Sequence, residues 1–115
     1  MVDLDFESKF RHIIKKMSET GEAYAESKGQ SWQMQELKNS VLSSIVSKQG
    51  DVPISRSEVV ARASEDYKQY IQETAEAIKK ELKLKSTYEM WKCSFEALRS
   101  LSSLEKKTRS LIDGE

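Results

Sequence analysis

The sequence contains very few residues that interrupt helices or crosslink chains. Its 115 residues include one proline, four glycines and one cysteine. With so little Pro and Gly and 33% charged residues, the composition is typical of a helical protein built from good helix formers. The single cysteine, Cys93, excludes a disulfide within the chain and is typical of a reducing compartment. A chain of this length predicts one helical domain, residues 1–115.

The chain also lacks an excess of either charge, because 19 basic residues face 19 acidic ones. A nucleic-acid-binding domain is usually basic and a DNA mimic should be strongly acidic, so neutrality counts against both. The opening stretch MVDLDFESKF lacks the basic and apolar regions of a signal peptide. No apolar run approaches the roughly 18 residues that span a bilayer. We therefore expect a cytoplasmic protein without membrane contacts.

Apolar residues in the first half recur every three or four positions, which predicts helices over 5–27 and 33–47. Between them, the polar stretch AESKGQSWQ (25–33) is either a break or a softer section of one longer helix. Trp32 lies in this stretch, off the main apolar stripe, and marks either a helix junction or an exposed contact. The stripes consist of Phe6, Phe10, Ile13, Ile14, Met17 and Tyr24, then Met34, Leu37, Val41, Leu42 and Ile45.

Gly50, Asp51 and Pro53 punctuate a predicted loop over 48–55. Ser55 and Glu58 have the spacing of a capping box, which predicts a short helix over 56–63. Ser64, followed by two acids, is a second N-cap signal. It predicts a long helix over 65–112, a stretch that contains neither Pro nor Gly.

The long helix carries an apolar stripe that a chain of this size cannot bury by itself. A helix of this length would extend for about 70 Å. We therefore predict an all-α fold of long amphipathic helices, hairpin-like or coiled-coil-like, that assemble into a homo-oligomer. The spacing of the aromatic residues on the stripe favours a core or subunit interface over base stacking. The predicted oligomer interface consists of Tyr88, Trp91, Phe95, Leu98 and Leu101.

Residues that could support catalysis are sparse. His12 is the only histidine and Cys93 the only thiol, so a His/Cys metal site has no further partners. Cys93 has no base within helical reach, and we expect a small buried or interface residue there. The sequence has no glycine-rich phosphate loop. We therefore predict that the protein is not an enzyme and has no cofactor and no metal site.

The last third of the chain is locally basic. Residues 79–109 contain nine Lys or Arg residues and four Glu residues. Lys85, Lys92, Arg99 and Lys106 are seven residues apart, so they form one stripe that could follow a phosphate backbone. The alternative is a solvated face on which Lys85 pairs with Glu89 and Lys92 with Glu96, each pair four residues apart.

The layout resembles small helical phage proteins of the UvsY recombination mediator family, over residues 23–112. The similarity lies in an amphipathic first half, a loop, a short capped helix, and a long helix with an aromatic cluster and a basic tail. On the last helix, Tyr88 and Trp91 are followed by Phe95 and then by Ala97-Leu98. The segments concerned are KGQSWQMQELKNSVLSSIVSK, PISRSEVVARASEDYKQYIQ and YEMWKCSFEALRSLSSLEKKTRSLI.

The resemblance implies an oligomeric mediator that binds single-stranded DNA in the bacterial host cytoplasm and assists DNA recombination. Its partners would be a recombinase and a single-strand-binding protein. The family's basic motif corresponds to ELKNSVLSSIVSK, which holds only Lys38 and Lys48 and lacks Lys-x-Arg. This departure either removes DNA binding or moves it to Lys79, Lys80, Lys83 and Lys85. The alternative function is a helical adaptor that binds a protein partner through its apolar stripe and does not bind DNA.

Overall fold

The computed structural model describes residues 3–113, except for the side chains of residues 3, 4, 54 and 55. It contains the helices α1 (Asp3–Glu36), α2 (Lys38–Ser47), α3 (Ile54–Ala63) and α4 (Glu65–Ile112). No strand occurs in this part of the chain. The predicted all-α class with long helices is confirmed.

The chain divides into two units. Unit 1 combines Met1–Tyr24 with Lys83–Glu115, and unit 2 consists of Ala25–Leu82. Unit 1 therefore contains the first part of α1 and the second part of α4. Unit 2 contains the end of α1, both short helices and the first part of α4.

Unit 1 is an antiparallel pair of helices that is held by aromatic contacts. Phe10 meets Phe95 edge-on with ring centroids 5.6 Å apart. Further along α1 and back along α4, Tyr24 stacks on Tyr88 at 6.3 Å. Edge-on and offset pairs of this kind stabilise aromatic packing beyond the burial of area. Ile13 is buried on the α1 side of this pairing and Leu98 on the α4 side.

Unit 2 has a small apolar core formed by the short helices and the start of α4. Leu42, Ala61 and Tyr67 are its buried members, and Ile45 and Val46 pack against them. Where α1 lies beside α4 in this unit, the buried residues are instead polar and small: Ser27, Ser31 and Thr74.

Side-chain hydrogen bonds join α1 to α4 in unit 2. The Ser31 hydroxyl, whose residue is 1% exposed, donates to the carboxylate of Glu81. The Tyr70 hydroxyl donates to the backbone carbonyl of Met34. Because these polar groups have hydrogen-bond partners, residues with hydroxyl groups can be buried between α1 and α4 without the cost of unpaired donors.

Of the two alternatives for residues 25–33, a break or a softer section of one longer helix, the structure shows the continuous helix, because α1 extends to Glu36. Gly29 lowers helix propensity by only about 1 kcal/mol relative to Ala, which the packing of α1 on α4 offsets. The interruption lies at Leu37, whose N–H still donates to the Gln33 carbonyl at 3.0 Å. The Val41 N–H likewise donates to the Leu37 carbonyl at 2.9 Å, so this is a bend and not a loop.

The loop before α3 ends at Pro53, and α3 begins two residues earlier than predicted. Pro53 is the N-cap, so Ser55 does not occupy the cap position that the predicted Ser55–Glu58 capping box requires. The side chain of Ser55 itself lies outside the described residues. Gly50 has a φ of 68°, a left-handed conformation that favours glycine in this turn.

Ser64 caps α4 as predicted. Its hydroxyl accepts a hydrogen bond from the Tyr67 N–H at 3.2 Å. Its backbone is extended, and Glu65 and Asp66 occupy the first helical turn. This arrangement satisfies one of the free N–H groups at the helix start and places two acids at its positive end.

Candidate nucleic-acid interface

The predicted lysines of α4 are all exposed but do not share one face of the helix. Lys79, Lys80, Lys83 and Lys85 lie within one continuous helical stretch. At 3.6 residues per turn, the first three fall on one side and Lys85 falls on the other. Lys85 instead shares its side with Lys92, seven residues further on.

These lysines are free of ion pairs. Within residues 3–113, no carboxylate lies within salt-bridge distance of Lys79, Lys80, Lys83, Lys85 or Lys92. Seven of the other basic residues form such pairs, all of them local to one helix. The paired basic residues are Lys9, Arg11, Lys16, Arg62, Lys68, Arg99 and Arg109.

The pairs Lys85–Glu89 and Lys92–Glu96, which were the alternative to a phosphate-binding stripe, therefore do not form. Glu96 pairs instead with Arg99, at 2.9 Å. The ammonium of Lys92 lies 5.3 Å from the centroid of the Tyr88 ring, a cation–π distance. Glu96 and Lys92 thus have partners on the same helix that the sequence spacing did not single out.

Glu81 is the only acidic residue between Lys79 and Lys85. Its carboxylate accepts the hydrogen bond from Ser31 described above, and Glu81 is half-buried. The contact engages one carboxylate oxygen, and none of the four lysines lies within ion-pair distance of this carboxylate. Four lysines against Glu81 give a net local charge of about three positive units along two helical turns.

The two lysines predicted in the first half are placed differently. Lys38 is the first residue of α2 and lines a cavity of about 450 Å³ with apolar and hydroxyl residues of α4. Lys48 is the C-cap of α2 and lines a cavity of about 320 Å³ that also contains Asp66 and Glu73. Phosphate binding at Lys48 would therefore meet two nearby carboxylates, whereas Lys79, Lys80, Lys83 and Lys85 have no described carboxylate within ion-pair distance.

Most of the predicted oligomer-interface residues pack within the chain. Tyr88, Trp91 and Phe95 are half-buried, and their rings contact Tyr24, His12 and Phe10 of α1. Leu98 is buried, whereas Leu101 is 56% exposed. The aromatic rings are thus engaged by α1, and Leu101 is the member of the set that faces outward.

A groove of about 680 Å³ opens beside these residues in unit 1. Its α1 wall includes Lys9 and His12, and its α4 wall includes Trp91, Ala97 and Leu101. His12 is exposed and meets the Trp91 ring edge-on at 5.6 Å. The groove therefore combines an apolar α4 wall with a polar rim.

The remaining singled-out residues are exposed. Cys93 is exposed, so of the two expected placements, buried or at an interface, it is not buried within the chain. Trp32 is 63% exposed on the outside of α1. Among the described residues, no group of three or more His, Cys, Asp or Glu side chains could hold a metal ion.

Comparisons with known proteins identify no relative of this chain. No protein-family model, no curated protein and no solved structure matches the chain. None of the helices in residues 3–113 has an apolar stretch long enough to cross a membrane.

Proposed function

We propose that the protein is a homo-oligomer that binds single-stranded DNA through the exposed lysines of α4. The observation that carries this proposal is the set of five lysines between residues 79 and 92, all exposed and none in an ion pair with another described residue. Ammonium groups without carboxylate partners can exchange their counterions for phosphates at no cost of a broken pair.

Binding of this kind reads the phosphate backbone and not the base sequence. Lysine contacts to phosphates supply sequence-independent affinity that falls as salt is added. The aromatic residues of α4 are engaged by α1, so base stacking does not enter the proposal. Because one copy is neutral overall, affinity depends on presenting several lysine sets at once, which an oligomer does.

The biological role proposed for this activity is recombination mediation. It rests on the resemblance to the UvsY family, whose members bind single strands and help a recombinase to displace a single-strand-binding protein. Sequence-independent and salt-sensitive binding to the strand is compatible with that exchange, because the phosphate contacts can be broken one at a time. The expected partners are therefore a recombinase and a single-strand-binding protein.

The lysine triple variant Lys79→Ala/Lys80→Ala/Lys83→Ala tests this proposal. Three lost phosphate contacts should lower the slope of log K against log salt by about 2, at roughly 0.7 per contact on single strands. Fluorescence anisotropy of a labelled oligo(dT) at several salt concentrations measures the slope.

The matched control is Lys9→Ala/Arg11→Ala/Lys16→Ala, which removes the same charge from residues that are already paired with acids. The control should keep most of the wild-type slope. Equal slopes for wild-type protein and the α4 variant would contradict the proposal.

A protein adaptor is the second candidate, and exposed apolar residues of unit 2 favour it. Val59 and Val60 are exposed on α3, and Trp32 is exposed on α1. Such residues can bind an apolar helix of a partner protein. A folded protein that binds no oligo(dT) at low salt would favour this candidate over DNA binding.

A further inference from the structure

Helix α4 carries a second row of apolar residues that the described part of the chain leaves exposed. Its members are Met90, Ala97, Leu101, Leu104 and Leu111, which alternate by seven, four, three and seven residues. This spacing occupies the a and d positions of a heptad, the pattern by which helices pair. Met90 is 53% exposed, Leu104 60% and Leu111 80%, and Ala97 and Leu101 are also exposed. We call this row the second seam.

The second seam is distinct from the row that packs on α1. The first row runs through Tyr88, Trp91, Phe95 and Leu98. Helical periodicity separates the two rows by roughly a third of a turn. A helix with two adjacent apolar rows is typical of a bundle in which it has two neighbours. Among the described residues of unit 1, α1 is one such neighbour and no second helix is present.

The polar residues of the second seam are already satisfied. Its remaining heptad positions are Thr87, Ser94 and Thr108, and each hydroxyl donates to the carbonyl four residues earlier. The distances are 3.1 Å for Thr87, 3.0 Å for Ser94 and 3.0 Å for Thr108. Since these bonds lie within α4 itself, a second helix can cover the hydroxyls without leaving a donor unpaired.

On the side of the second seam that does not face α1, the flanking residues are small and uncharged over two heptads. Ser86, Cys93 and Ser100 occupy this side, at intervals of seven residues. The basic stripe that includes Lys85 and Lys92 lies on the opposite side of α4 by helical periodicity. Two copies of α4 can therefore approach along this row without bringing like charges together.

We infer that a second copy of this chain covers the second seam, with α4 packed against α4. The second seam is exposed over about 30 Å of α4, from Met90 to Leu111, and a copy packed along it buries apolar area on both partners. The same residues from both copies would meet in an isologous contact. The inference identifies the contact behind the proposed homo-oligomer and does not depend on DNA binding.

Sedimentation equilibrium of the full chain tests the inference, with circular dichroism as a check on folding. The wild-type protein should have a molar mass above the 13.2 kDa of one copy. The variant Leu101→Gln/Leu104→Gln keeps good helix formers but removes four leucines from a two-copy contact. Its dissociation constant should rise by roughly 10³-fold.

The matched control is Leu82→Gln, because Leu82 is as exposed as Leu101, at 56%, but belongs to neither row. It should leave the dissociation constant unchanged. A wild-type monomer at about 100 μM would overturn the inference, as would an equal effect of Leu82→Gln. If the assembly behaves as expected but oligo(dT) does not bind, the proposed function fails and the second seam stands.

Discussion

The substitution Gly21→Ala is a direct test of how α1 pairs with α4 in unit 1. An added Cβ atom at position 21 would lie 3.1 Å from Cε1 of Tyr88 and 3.5 Å from its Cδ1. The closer distance is tighter than an ordinary carbon–carbon contact, so the ring would have to move. Tyr88 is also stacked on Tyr24, at 6.3 Å between centroids, which restrains that movement.

Two effects of opposite sign determine how Gly21→Ala changes the free energy of unfolding. Replacing a helical glycine by alanine stabilises by about 1 kcal/mol through helix propensity. Forcing an extra methyl group into a packed site costs about 1–3 kcal/mol. Because the ring is half-buried and can yield in part, we expect Gly21→Ala to lower the free energy of unfolding by roughly 1 kcal/mol.

Gly29→Ala is the matched control, since a Cβ atom there meets nothing within 4 Å. Gly29→Ala should raise the free energy of unfolding by about 1 kcal/mol, the full effect of the higher helix propensity of alanine. Urea unfolding followed by circular dichroism measures both variants. In a Tyr88→Ala background the ring is absent, so Gly21→Ala should become stabilising by about the same amount. If Gly21→Ala stabilises the wild-type background as much as Gly29→Ala, the described contact between α1 and α4 is refuted.

Two further predictions concern single hydroxyl groups and use the same unfolding assay. Ser64→Ala removes the α4 N-cap and should cost about 1 kcal/mol, whereas the exposed mid-helix Ser103→Ala should cost nothing; equal effects would argue against the cap. Ser31→Ala leaves the half-buried Glu81 carboxylate without its donor and should cost about 1–2 kcal/mol. Its control, the exposed Ser18→Ala on the same helix, should be neutral or slightly stabilising, and a neutral Ser31→Ala would refute the contact.

The long helix could be predicted closely from the sequence because its boundary signals are local. Ser64 supplies the cap, and no Pro or Gly follows before residue 112. The course of α1 could not be predicted from hydrophobicity alone. The buried side of α1 between residues 25 and 33 consists of Ser27 and Ser31, which read as a polar break. Their spacing of three and four residues, continuing from Tyr24 to Met34, is the signal that would have revealed one helix.

The lysines of the candidate interface could be identified from the sequence, but whether they form ion pairs could not. Spacing alone offered Glu89 and Glu96 as partners for Lys85 and Lys92. The actual contacts depend on which way each side chain turns: Glu96 turns toward Arg99 and Lys92 toward Tyr88. Likewise, only the pairing of α1 with α4 shows that Ser31 binds the Glu81 carboxylate. Such choices depend on tertiary packing, which sequence spacing does not specify.

The most direct test of the central claim is the salt dependence of wild-type binding to a labelled oligo(dT), measured by fluorescence anisotropy. The account predicts binding at about 50 mM salt that falls steeply by about 200 mM, because each lysine–phosphate contact releases a counterion. Absence of binding at the lower salt concentration, with the protein folded and oligomeric, would contradict it.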